Sequence, residues 1–202
     1  MSALSLQTRF NPLQFNPQVQ QQFAQLQPQR QQSQTRTQQL FATDSFTPAR
    51  AGGTPAFDVA RRLGPETNPR YQKRDITGDG KPETFCNWYT QDYMRQRGVN
   101  TSQFPNLSAN ETNRWLNSSA GRNAGWRKVS AEEAQRHVNN GGVGLVSRRN
   151  PSGHGHIAPI VEGQTQNGYP MISNVGSRNF LRGPANQSPA FRHSNTEYWI
   201  RG

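Results

Sequence analysis

Ser130-Ala131-Glu132-Glu133-Ala134-Gln135-Arg136-His137-Val138-Asn139-Asn140-Gly141-Gly142-Val143-Gly144-Leu145-Val146-Ser147 is the stretch in which the chain changes its period. Ser130 with Glu133 reads as a capping box, in which Ser at the N-cap and Glu at N3 satisfy each other's backbone N–H groups. The helix it opens runs to Val138 and stops at Asn139-Asn140-Gly141-Gly142. The apolar run Val143 to Ser147 then reads as a strand. Upstream the pattern is helical. Thr84 is an N-cap candidate for a helix over Phe85 to Arg97, stopped by Gly98, with Phe85, Trp88, Tyr89 and Tyr93 on one apolar face. A shorter helix is expected over Asn110 to Leu116, with Trp115 and Leu116 inward. Downstream, His156 to Val161 and Met171 to Val175 read as strands, and Tyr198 to Ile200 as a fourth. Helices first and an antiparallel sheet second predict an α+β fold.

Composition divides the 202 residues unevenly. The chain carries 23 Lys+Arg against 12 Asp+Glu, a net charge of +11, and 31% of its residues are hydrophobic. Mean hydropathy is −0.97. A uniformly polar chain cannot bury enough surface to offset its ordering entropy, so a smaller domain with a polar tail is expected. The tail is legible: Gln7 to Leu40 is dominated by Gln, and Pro12, Pro17 and Pro28 interrupt its scattered apolar residues. Residues 1–56 therefore read as a disordered Gln-rich tail and linker, the linker being Thr47 to Pro55. A helix over Val19 to Leu26 that folds on binding is the other reading of the tail. The domain is expected over residues 57–202, without internal repeats. No apolar run is long enough for a membrane span. A single cysteine, Cys86, excludes an internal disulfide framework. Met1 to Phe10 lacks a basic segment followed by an apolar one, so no Sec signal peptide is expected.

Cys86 stands at the start of its expected helix, where unpaired N–H groups and the positive dipole end stabilise a thiolate. It is a candidate nucleophile; the competing reading is a small buried apolar group. His156 opens a strand after Gly153-His154-Gly155 and could take the thiol proton and return it to a leaving amine. Asn174, on the next strand, is the leading group to hold the imidazole tautomer. His154 shares a strand face with His156 and stays open as an alternative base. His137 and His193 read as surface residues. The backbone N–H of Cys86 is the natural oxyanion donor. Tyr89 could add a hydroxyl near the cleft, but its spacing favours the core.

Phe85-Cys86-Asn87-Trp88-Tyr89 resembles the Cys-x-Trp-Tyr nucleophile helix of CHAP domains, which belong to the NlpC/P60 group of papain-like cell-wall hydrolases. Gly155-His156-Ile157-Ala158, with Ile160-Val161-Glu162, is similar to that family's histidine strand. The resemblance spans about Asp75 to Gly176. It implies a papain-like fold and hydrolysis of a peptidoglycan amide bond through an acyl-enzyme on Cys86, with His156 as base. By position, the third polar role falls on Asn174, with Ser173 as its neighbour. Pro159 stands where the family strand usually has Val. That strand is therefore expected to lose one ladder donor and to be bulged or at an edge there.

Before the nucleophile, Asp75-Ile76-Thr77-Gly78-Asp79-Gly80-Lys81-Pro82-Glu83 places the oxygen ligands Asp75, Thr77, Asp79 and Glu83 as in the first half of an EF-hand loop. Cys86 occupies the position of the bidentate acid. The alternatives are a structural calcium ion and a tight turn in which Asp75 and Asp79 bond local N–H groups. No other cofactor is expected. The dispersed arginines and lysines make a field attractive to an anionic wall polymer, and no nucleic-acid module is recognisable. The expected function is a bacterial peptidoglycan hydrolase, a secreted antibacterial effector or a lysis enzyme. It would reach the envelope without a Sec signal and stay cytoplasmic before release, with an immunity protein or secretion component as partner. Its rivals are a basic, non-enzymatic binding protein for nucleic acid or an anionic surface, and a papain-like deamidase or other acyl-transfer enzyme acting on a protein.

Overall fold

The structure, a computed structural model, describes residues 54–202. The expected tail, its helix over residues 19–26 and most of the linker lie outside the described residues. Ala56, expected in the linker, instead opens α1 (Ala56–Leu63), because Ala56, Val59, Ala60 and Leu63 follow helical spacing and are all buried. The N-terminus of α1 is held from far along the chain. Glu162 accepts the Ala56 N–H at one carboxylate oxygen and the Phe57 N–H at the other, both at 2.6 Å. Two open donors and the positive dipole end thus meet one anion. Arg97 donates to the carbonyl oxygens of Thr54, Gly141 and Gly142, fixing the segment just before α1.

The next helices are α2 (Cys86–Gln96), α3 (Ala109–Leu116), α4 (Ser119–Asn123) and, between the first two strands, α5 (Ala131–Asn139). Thr84 is not the cap of α2. Phe85 occupies the N-cap with no side-chain hydrogen bond, so the first N–H groups of α2 stay open. Ser130 does cap α5 by accepting the Glu133 N–H, but Glu133 turns to Arg127 and the reciprocal bond is not formed. The complete capping box is at α3, where Ser108 and Glu111 satisfy each other.

The strands are β1 (Trp126–Val129), β2 (Val143–Arg148), β3 (His156–Pro159), β4 (Met171–Asn174), β5 (Phe180–Pro184) and β6 (Thr196–Arg201). Four form an antiparallel sheet in the order β1-β6-β2-β3, and β4 pairs antiparallel with β5. A bridge between Ile160 and Ile172 joins the two, with Val161 N–H donating to Met171 O at 2.9 Å. Ladder pairing of β3 as a regular strand ends at Pro159. Ile160 N–H still reaches Gly144 O on β2, whereas pairing toward β4 begins only beyond the proline. The expected loss of a donor thus falls on the open side of a sheet-edge strand.

Helices cover both faces at β2. Gly144 packs against Val138 of α5, and Ser147, on the opposite face, accepts from Asn113 of α3 and from the Trp199 indole. α2 packs on β3, and α1 on α2 and β5. Trp126, Tyr71, Tyr89, Tyr93, Phe104 and Phe191 fill the core. The architecture is α+β. No described helix is long and apolar enough to cross a membrane.

Candidate functional site

α2 and β3 meet at the site. Cys86 is the first residue of α2, 6% exposed, and its thiol lies among the backbone N–H groups of Ile157, Asn87 and Cys86 itself. Ile157 is the neighbour of His156 on β3, so the helix start and the strand start face one another. Being at the first helical position, the Cys86 N–H has no carbonyl one turn back to bond.

His156 is 7% exposed and its ring stacks at 4.8 Å on Phe191. Its Nε2 lies 2.9 Å from Asn174 Oδ1. Asn174 Nδ2 in turn donates to Arg178 O at 2.6 Å, which fixes the amide orientation. Oδ1 therefore accepts, Nε2 carries the proton, and Nδ1 keeps the lone pair. Gly155 allows β3 to begin here: a Cβ on it would run into Asn110 Oδ1 and Arg148 O. Asn110 also accepts from Asn150 N and donates to Asn150 O and Gly153 O, closing the turn before β3.

Burial dominates the electrostatics. It pushes the Cys86 thiol above its ordinary range, against the opposing N–H groups. It also pulls His156 down to about 4, with the Asn174 bond opposing and Arg148 assisting. At this buried helix start desolvation therefore outweighs the N–H donors that favour a thiolate. N–H donors thus stand around the sulfur, and Asn174 stands behind the imidazole.

The other sequence candidates separate cleanly. His154 is exposed and lines the cleft but does not meet Asn174. Ser173 is buried and bonds the Tyr89 hydroxyl at 2.5 Å, which assigns both to the core. His137 bonds Arg201 O at 2.9 Å, and His193 is exposed. A cleft of about 410 Å³ reaches Cys86; it is walled by Asp79 and Lys81 to Thr84 on one side and by Ser108, Ala109, Asn110 and His154 on the other.

The Asp75 loop forms part of that wall. Asp75 accepts from Gly78 N and Gly80 N, Asp79 from Lys81 N, and Glu83 from Ile76 N and the Thr77 hydroxyl. This is the tight-turn arrangement. Asp75, Asp79 and Glu83 also each present one oxygen within 4.8 Å of the others, the donor set a hard cation takes.

Sequence reasoning missed Glu162, Asn179 and Phe191. The first two act through bonds to residues more than a hundred positions away, which no local pattern announces. No protein-family model matches this chain, and no curated protein matches it.

Proposed function

We propose that this domain is a papain-like cysteine hydrolase that cleaves an amide bond of peptidoglycan, in the manner of CHAP and NlpC/P60 enzymes. The observation that carries the reading is the His156–Asn174 hydrogen bond, which leaves Nδ1 as the free base on the strand that faces Cys86. In the first half-reaction Nδ1 takes the Sγ proton as sulfur attacks the carbonyl carbon. The oxygen anion that forms is met by the open N–H of Cys86. The C–N bond breaks as His156 returns its proton to the amine, leaving an acyl-enzyme. Water then gives a proton to Nδ1 and attacks the thioester, releasing a carboxylic acid and restoring the thiol. No cofactor takes part; a calcium ion held by Asp75, Thr77, Asp79 and Glu83 would order the segment that delivers Cys86. The positive charge of the chain suits retention on anionic wall polymers, and the reading places the enzyme at the cell envelope, with a secretion component or an immunity protein as partner.

The test is digestion of purified peptidoglycan by the wild type and Cys86→Ser, followed by mass analysis of the fragments. Cys86-dependent fragments are expected and their masses name the bond. Their absence rejects the substrate and leaves a deamidase or other acyl-transfer enzyme. The second reading, a basic binding protein, draws on the burial of Cys86. Iodoacetamide separates the two: alkylation near neutral pH that slows in His156→Ala supports the thiol–imidazole pair, and an inert thiol supports the binding protein.

A further inference from the structure

The turn between β4 and β5, residues 175–179, touches the histidine pair twice. Arg178 O receives the Asn174 amide at 2.6 Å. Gly176 lies so close over the imidazole that a Cβ there would stand 2.7 Å from His156 Cε1. The backbone of this turn is thus a wall and a hydrogen-bond acceptor for the two residues that set the base.

Asn179 closes the turn and ties it to a distant segment. Its Oδ1 accepts Gly176 N–H at 2.9 Å, and its Nδ2 donates to Pro65 O at 3.0 Å and Tyr71 O at 3.2 Å. Tyr71 is itself fastened to α2: its ring meets Tyr89 edge-on at 5.1 Å, and its hydroxyl donates to Asp92 at 2.9 Å. One amide side chain therefore joins the turn that holds His156 to the segment packed on the helix that starts with Cys86.

We infer that Asn179 is a positioning residue: it locks the 175–179 turn so that Gly176 and Arg178 O hold the His156–Asn174 pair at a fixed place relative to Cys86. The inference rests on the Cys86–His156 reading above, but its geometry does not depend on the substrate. Without Asn179, Gly176 N–H loses its acceptor and the turn loses its anchor, so the imidazole regains rotational freedom and its bond to Asn174 is no longer held in one geometry. A shift of about an ångström in such a pair is enough to cost orders of magnitude in rate.

The experiment uses the full chain. Cys86 alkylation by iodoacetamide is followed from pH 4 to 10 in the wild type, Asn179→Ala, Gly176→Ala, His156→Ala and, as a control in the same turn, the exposed Ser177→Ala. Nitrogen-15 NMR of His156 reports its tautomer, and melting temperatures are recorded alongside. Asn179→Ala is expected to lower the rate at pH 7 about tenfold toward that of His156→Ala. It should also convert a single Nε2–H tautomer into a mixture. Gly176→Ala should do the same through direct contact, and Ser177→Ala should match the wild type. If Asn179→Ala keeps the wild-type pH profile and tautomer while melting earlier, Asn179 is merely structural and the inference is overturned. If the wild type alkylates no faster than His156→Ala, the Cys–His reading fails instead. The tautomer in Asn179→Ala then still decides for or against the positioning role. Should Asn179→Ala not fold, Asn179→Asp, which keeps the acceptor for Gly176 N–H but loses the donors to Pro65 O and Tyr71 O, carries the same comparison.

Discussion

Two polar constellations lie only three residues apart along the chain, and their environments act in opposite directions. In the Asp75–Glu83 loop Asp75 and Asp79 are exposed and Glu83 is half-buried, and backbone N–H donors hold Asp75 and Glu83 below the ordinary carboxylate range. At Cys86 similar N–H donors surround the sulfur, yet burial outweighs them and pushes the thiol up. His156 shows the same dominance of burial, sinking to about 4. Backbone donors thus stabilise charge at the surface and lose to desolvation inside. Asp75 and Glu83 are held toward their charged forms, whereas burial favours the neutral forms of Cys86 and His156.

Breaking the buried pair carries the largest expected effect. His156→Ala should lower Cys86-dependent hydrolysis by about a thousandfold, and Asn174→Ala by about ten- to a hundredfold, both read as initial rates. Wild-type rates in Asn174→Ala would show that the ring needs no partner and would remove the contrast with the self-bonded loop. Next comes stability against pH. Unfolded His156 takes its proton near 6.5, but the buried ring does so only near 4. Between those values the unfolded state binds more protons, so stability falls as pH is lowered through this window, by about 3 kcal/mol in all. Urea titrations at a series of pH values should show this slope, and His156→Gln should flatten it. Hydrolysis should lose activity along an acid limb near pH 4.

A smaller effect tests charge at the surface end of the comparison. Glu162→Gln leaves the α1 N–H groups with a neutral acceptor and should cost about 1 kcal/mol in chemical unfolding. The smallest concerns the loop itself. Three gathered carboxylates without a bidentate twelfth ligand make a weak calcium site, so millimolar calcium should raise the melting temperature by only about 1–2 °C, and Asp79→Asn should abolish the rise. An unchanged melting temperature would assign the loop to turn chemistry alone.

Local signals explain which parts of this molecule were readable. Cys86 at a helix start, His156 at a glycine-flanked strand start and Asn174 on the following strand each carried a signal within a few residues, and the fold brings His156 and Asn174 into contact. The helix–strand change around Gly141-Gly142 was equally local. By contrast, β5 ends in Pro184 and contains Gly183, so it lacks the alternation that marks a strand. The spacing of Ala56, Val59, Ala60 and Leu63 and the Ser108–Glu111 box are local signals of the same kind. Glu162 and Asn179 were beyond any such reading, because their partners are brought near only by the fold. The resting charge of Cys86 was also hidden: position in a helix is local, but depth of burial is not.

The clamp on α1 has a mechanical consequence. Traction applied to the N-terminal segment would be met first by Arg97 at Thr54 and by the Glu162 carboxylate at Ala56 and Phe57. Arg97 caps the far end of α2 from Cys86, and Glu162 follows the strand that begins at His156. A pull on the chain at Thr54 would therefore be transmitted to both elements of the site at once, at the ends away from the chemistry.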